Sequence, residues 1–265
     1  MCYNFTNVNG ELFETLFGDN KVKQRISVPE YLGRFSWTRH FETEYKGVFP
    51  DITPKGEQTG ERLAREIEEQ MDGELLMLIA SPAARAQGSA DLLKRKLRIP
   101  DKVIIEPRIR EAVVYAVEGG AAIYRQLVAQ GEAIRPGFGQ DYLSICYATD
   151  IRYDDERIIE PRSKVRGRFY DYFAGAIDTL LRQLGTGEFI HFVHVSHYEV
   201  LYHFVERIFG LDYEKGDRPL LHGELIVTKV FATPKQHVVE LEVKFRGMNR
   251  LVRFNRTAKK ISAVV

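Results

Sequence analysis

Residues 74–97 read ELLMLIASPAARAQGSADLLKRKL, and this stretch decides the fold. Glu74–Ala80 is a short unbroken apolar run, the pattern of a strand covered on both faces. It stops at Ser81-Pro82, and residues 83–97 then predict a helix, with Ala90, Leu93 and Leu97 at helical spacing. A doubly covered strand that runs straight into a helix is the building unit of a parallel sheet. The unit recurs at Phe189–Ser196 (FIHFVHVS), followed by a helix over Tyr198–Phe209 that Gly210 ends. Upstream, Arg34–Thr38 (RFSWT) predicts a short strand after Gly33. Thr53-Pro54 then gives an N-cap with proline at the first helical position, and Leu63, Ile67 and Met71 carry a helix over residues 54–71. Val103–Glu106 predicts another strand, and residues 119–132 an alanine-rich helix. Residues 167–184 predict a further helix, with Phe169, Phe173, Ile177, Leu180 and Leu184 on one face. Glu224–Phe231, Val238–Phe245 and a run near Leu251–Phe254 follow with short connections, which predicts antiparallel pairing.

The expected fold is therefore α/β. It is a three-layer sandwich with a mostly parallel central sheet, helices on both faces and an antiparallel edge. Residues 1–33, broken by Gly10, Gly18 and Gly33, read as an N-terminal arm, and 34–265 as one domain. Pro136, Gly137, Gly139 and the acidic Asp154-Asp155-Glu156 mark 133–166 as an insertion or cap.

Composition narrows the function. The chain has 265 residues, 44% hydrophobic and 28% charged, enough apolar mass for a substantial core. Lys and Arg total 38 against 37 Asp and Glu, so the net charge of +1 argues against a DNA-coating protein or a polybasic membrane binder and leaves room for a local basic pocket. No run approaches the length of a membrane span. The two cysteines, Cys2 and Cys146, form no CxxC pair, which excludes a disulfide scaffold. The first twenty residues carry neither a basic leader nor an apolar core, so a cytoplasmic location is expected. An edge strand near the C-terminus leaves a homodimer open.

Three strand ends carry polar groups that a core does not need: Thr38-Arg39-His40, Ser81-Pro82 with Arg85 beyond it, and Ser196-His197. Neighbouring parallel strands bring their carboxyl ends to one crevice. Two guanidiniums meeting there make an anion site that suits phosphate. A histidine inside it can attack phosphorus, while a second stabilises charge on the transferred oxygens. His191, His194 and His197 do not suggest a metal, because three-residue steps along a strand alternate between faces. Arg162, Lys164, Arg166 and Arg168 read as a solvated basic face or as contacts to a second anionic group.

These residues fall in blocks that resemble the histidine phosphatase (phosphoglycerate mutase-like) superfamily, over roughly residues 34–231. Arg39-His40-Phe41-Glu42-Thr43 is similar to its Arg-His-Gly-Glu-Thr signature. Ile52-Thr53-Pro54-Lys55-Gly56-Glu57-Gln58 is similar to its Leu-Thr-x-x-Gly-x-x-Gln block, and Ser81–Ala90 to Ser-Pro-x-x-Arg-Ala. Arg110-Glu111 with Glu118-Gly119 resembles its proton-donor block, and Val195-Ser196-His197 its last block. Five blocks in family order carry more weight than any one of them.

The resemblance implies a metal-independent, cofactor-free hydrolase of small phosphomonoesters that works through a phosphohistidine on His40. It implies that Arg39, Arg85 and His197 bind phosphate and that Glu111 is the proton donor. Glu42, Glu118 and Glu199 remain rivals for that last role. Phe41 stands where the family has glycine and Tyr198 where it often has Gly or Asp. Phe41, Thr43 and Tyr198 are thus substrate-pocket candidates. Ala112-Val113-Val114-Tyr115 in place of His-Tyr-Gly argues against a sugar-acid mutase. A non-catalytic phospho-ligand binder or scaffold, with Phe41 and Tyr198 filling the pocket, is the main alternative; a phosphotransferase is another.

Overall fold

A computed structural model of the chain describes residues 30–44, 50–113, 159–211, 220–235 and 237–263. The buried runs read in the sequence become neighbours. β1 (Glu30–Arg39) pairs in parallel with β6 (Ile190–Ser196), β6 with β4 (Leu75–Ala80), and β4 with the short β5 (Ile104–Ile105). On the other side of β1 the direction reverses. β7 (Leu225–Ala232), β8 (Val238–Phe245), β9 (Met248–Asn255) and β10 (Lys260–Ala263) continue antiparallel, giving one eight-stranded sheet in the order β10-β9-β8-β7-β1-β6-β4-β5. The parallel strands form its core and the antiparallel edge is four strands wide. A two-stranded ribbon of β2 (Thr43–Glu44) and β3 (Asp51–Ile52) follows β1.

Side-chain alternation divides the apolar mass between the two faces. Phe35 and Trp37 of β1 and Phe192 of β6 pack beneath α3 (Arg162–Arg182) and α4 (Tyr198–Phe209), with Phe169, Phe173 and Phe204. Val193 and Val195 of β6 and Leu78 and Ala80 of β4 face the opposite way, toward α1 (Pro54–Glu68) and α2 (Ala84–Lys96). The antiparallel half is covered on one side. Val239, Leu241, Val243 and Phe245 of β8 are buried while their neighbours are partly or fully exposed. α1 begins as the sequence predicts, with the Thr53 hydroxyl accepting from the Gly56 amide at 3.1 Å. Among the described residues no helix is long and apolar enough to cross a membrane.

Several boundaries move. Residues 30–33, expected in the arm, open β1, because Gly33 does not break the strand. It sits at φ +150 beside a bulge, and a Cβ there would lie 2.5 Å from the Ile190 carbonyl oxygen. Residues 162–166 of the expected insertion are the first turn of α3. β10 had no apolar run to announce it. The helix over 119–132, the rest of the insertion to residue 158, Cys146 and Glu118 lie outside the described residues.

His191 and His194 project to opposite faces of β6. His191 Nε2 is 2.7 Å from Ser36 Oγ, and His194 Nε2 is 2.7 Å from the Tyr172 hydroxyl, with its ring stacked on Trp37 at 3.8 Å. Burial pushes His191 down to about 4 and His194 to about 3. Both stay neutral in the folded chain at pH values where unfolded histidine takes up a proton. Their stabilisation is complete above about pH 6.5, the ordinary histidine value, and is lost as pH falls toward the folded values. We expect unfolding free energy to drop between pH 6.5 and 4 by roughly 1 kcal/mol per pH unit for each histidine. His191→Gln should flatten that slope in urea titrations; an unchanged slope would refute the assignment.

Candidate active site

The register of β1, β6 and β4 places the three polar strand ends side by side. Thr38 lies opposite Val195 and Ala80 is also opposite Val195, so residues 39–40, 196–197 and 81 meet at one edge. The His40 amide donates to the Ser196 carbonyl at 2.9 Å and the Ser81 amide to the Val195 carbonyl at 3.0 Å, which extends the pairing past the strands. α2 then delivers Arg85, and α4 begins directly after His197.

His40 is buried, 7% exposed. Its Nδ1 is 2.9 Å from the Phe41 carbonyl oxygen. A carbonyl only accepts, so Nδ1 carries the proton and the lone pair of the neutral ring resides on Nε2. The ring is held well below the usual histidine value, first by burial and then by His197, Arg39, Arg85 and His222. His197, 1% exposed, lies 5.4 Å from His40 between ring centroids. Its Nε2 is 2.7 Å from Ser81 Oγ, and its Nδ1 is 3.4 Å from Arg85 Nη2. Burial, then Arg85 and Arg39, also lower its proton affinity. A guanidinium only donates, so Nδ1 accepts and Nε2–H points to Ser81. The Arg39 guanidinium reaches the Leu220 carbonyl at 3.3 Å and lies 5.8 Å over the Tyr198 ring.

Glu111 is the one rival carboxylate among the described residues that the structure ties to this cluster by an ion pair. It pairs with Arg85, and its carboxylate is 3.8 Å from His197 Nδ1. Glu42 is occupied by Thr53 and Lys55, and buried Glu199 accepts from the Ala112 amide at 3.1 Å. Two guanidiniums and two imidazoles thus gather at this edge of the sheet, and the Glu111 carboxylate lies beside Arg85 and His197.

The pocket candidates fare differently. Phe41 is fully buried among Leu63, Ala64 and the α2 side chains, with its amide on Ser89 Oγ at 2.9 Å. This corrects the expectation that it walls or fills the pocket. The chain turns at the end of β1, so the ring enters the lower core instead of the crevice. Tyr198 is 1% exposed and stacks on Tyr202 beneath Arg39, so it supports the site rather than lining it. Thr43 lies half-buried on β2, opposite Ile52.

Sequence reasoning missed His222, whose ring is 4.9 Å from that of His40. Its turn is pinned to the site, because the Gly223 amide donates to the Arg39 carbonyl at 3.2 Å and Arg62 to the Gly223 carbonyl at 3.0 Å. Gly223 needs its left-handed φ of +67 and has no room for a side chain, since a Cβ would meet Thr59 at 2.0 Å. The available signal was topological. β7 runs antiparallel to β1, so the residues that precede it lie beside the end of β1. Ser81 was noted as a polar strand end, but its partnership with His197 was not visible.

No protein-family model and no curated protein matches the chain. Solved structures do. It is similar to the mycobacterial glucosyl-3-phosphoglycerate phosphatase in complex with VO3, at 15% identity, covering 80% of this chain and 98% of that one, TM-score 0.52. Bacillus stearothermophilus YhfR is 19% identical, covering 81% and 96%, TM-score 0.52. The alpha-ribazole phosphatase of Shigella flexneri is 19% identical, covering 82% and 96%, TM-score 0.50. These structures are members of the histidine phosphatase superfamily, and this chain has their phosphoglycerate mutase-like fold. At these identities the likeness is one of fold.

If Glu111 stands in for the anion, removing its charge frees Arg85 and His197 for phosphate. We expect Glu111→Gln to bind inorganic phosphate several-fold more tightly than wild type by calorimetry. Equal or weaker binding would show that the carboxylate does not compete for the site.

Proposed function

We propose that the chain is a phosphatase that hydrolyses a phosphomonoester in two steps through a phosphohistidine on His40. The cations of the pocket, not a metal, carry the charge of the phosphate. The observation that carries the reading is the state of His40. It is a buried neutral imidazole whose Nδ1–H is engaged by a carbonyl, leaving the Nε2 lone pair for phosphorus in the company of Arg39 and Arg85.

The steps follow from these groups. A phosphate dianion displaces Glu111 from Arg85 and lies between the guanidiniums. It also favours protonation of His197, whose Nδ1 then donates to a phosphoryl oxygen. His40 Nε2 attacks phosphorus and the ester P–O bond breaks. The leaving oxygen takes its proton from the Glu111 carboxyl, which is stable beside a dianion only when protonated. Glu111, now a carboxylate, removes a proton from water, the water oxygen bonds to phosphorus, and the P–N bond to His40 breaks. Phosphate leaves and the starting state returns. Each cation acts most strongly as charge builds on the transferring oxygens. The burial of Phe41 in the lower core removes the plug on which a purely binding role depended. The solved neighbours are named for different phosphate esters, which fits a shared phosphate pocket with varied walls.

With 4-nitrophenyl phosphate and a chelator present, wild type should turn over and His40→Ala should lose at least about 1,000-fold in kcat. Near-normal activity in the variant would overturn the nucleophile. In kcat/KM, which ends with departure of the leaving group, Glu111→Gln should slow phenyl phosphate far more than 2,4-dinitrophenyl phosphate, whose leaving oxygen needs no proton. Equal losses would assign the donor elsewhere.

A further inference from the structure

Glu111 lies in a segment with no regular secondary structure, after the turn Pro107–Ile109. A proton donor must be held to within a fraction of an ångström of the leaving oxygen, and an irregular segment does not do this by itself. Here each residue from Arg108 to Val113 is tied from outside. Ser196 Oγ donates to the Ile109 carbonyl at 2.8 Å, and Glu199 accepts from the Ala112 amide at 3.1 Å. Glu160 accepts from Arg110 at 2.9 Å and from the Val113 amide at 3.3 Å.

Arg168 of α3 joins these ties. Its Nη1 donates to the Arg108 carbonyl at 2.6 Å and its Nη2 to the Glu111 carbonyl at 2.9 Å, while its Nε meets Glu160 at 3.1 Å. It is not part of a solvated basic face, since its side chain is 13% exposed. Burial opposes its charge and Glu160 supports it. The three acceptors meet three different nitrogens of the planar guanidinium, a spread that the donors of a lysine, all on one atom, do not reproduce.

We propose that Arg168, with Glu160 as its counter-ion, is a positioning residue that sets the Glu111 carboxyl against the leaving oxygen; this rests on Glu111 being the proton donor. Removing it leaves the phosphate pocket of Arg39, Arg85, His40 and His197 in place and lets the donor drift. The loss therefore depends on how much the leaving group needs a proton.

The test compares phenyl phosphate with 2,4-dinitrophenyl phosphate for Arg168→Met, Arg168→Lys, Glu111→Gln and the double variant Arg168→Met/Glu111→Gln. Arg168→Met should lose about 100-fold in kcat/KM on phenyl phosphate and under about 3-fold in kcat/KM on the activated ester, because kcat/KM ends with departure of the leaving group and leaves out the later water attack that also uses Glu111; vanadate inhibition should be unchanged. The double variant should be no slower on phenyl phosphate than Glu111→Gln, because both changes disable one function. Arg168→Lys, which keeps the ion pair and loses the fork, should show the same selectivity and serves if Arg168→Met does not fold. Equal losses on both esters, or multiplicative losses in the double variant, would overturn the proposal. Selectivity in Glu111→Gln without any in the Arg168 variants would overturn this role alone. No selectivity in Glu111→Gln would overturn the donor assignment and this role with it.

Discussion

Arg39 on β1 lies opposite Ser196 on β6, and the His40 amide continues the ladder to the Ser196 carbonyl. That parallel register is what the site depends on. It puts the His40 and His197 imidazoles one residue past adjacent strand ends. With β4 on the other side of β6, it brings Ser81 under His197 and α2 with Arg85 alongside. A slip of one residue would turn every β1 side chain to the other face, moving Phe35 and Trp37 out of the upper core. The aromatic packing of Phe35, Trp37, Phe173 and Phe192 therefore protects the geometry of the chemistry.

The electrostatics of the pocket are unbalanced by design. Two guanidiniums and three imidazoles share the site, and burial together with the neighbouring positive charges keeps His40 and His197 neutral. Neutrality leaves His40 the lone pair that the proposed attack on phosphorus requires. It also means the pocket gains most from an incoming anion, because the repulsion is relieved on binding. In the empty site Glu111 supplies part of that relief through its ion pair with Arg85. In the proposed reaction the same carboxyl serves as acid once a dianion has replaced it, so substrate binding and donor arming are one event.

The fold was legible where apolar runs enter the sheet: β6 is buried throughout and β4 over its last three residues, with Leu75 at its start exposed. ELLMLIA and FIHFVHVS could be little else, and β8 alternates as a half-covered strand must. Arg39, His40, Arg85 and His197 were legible for the same reason, since parallel strands followed by helices have to end at one edge. Other parts required the third dimension. Gly33 reads as a break until Ile190 is seen pressed against it. Phe41 follows the last strand residue, where alternation no longer says which way a side chain turns. His222 reaches the site only because β7 lies beside β1, and strand order is not written locally. Arg168 looked like one cation in a basic run, because helical spacing shows which face it shares but not that an irregular segment with unpaired carbonyls lies opposite.

The central claim is a covalent intermediate on His40. Mixing enzyme with 4-nitrophenyl phosphate, quenching in alkali within milliseconds and mapping peptides by mass spectrometry tests it directly. The account predicts one acid-labile, alkali-stable phosphoryl group on the peptide that contains His40, accumulating further in Glu111→Gln, where water attack lacks its base, when the activated dinitrophenyl ester is used. Turnover at full rate with no phosphoryl group on that peptide, or with the group on another residue, would contradict it.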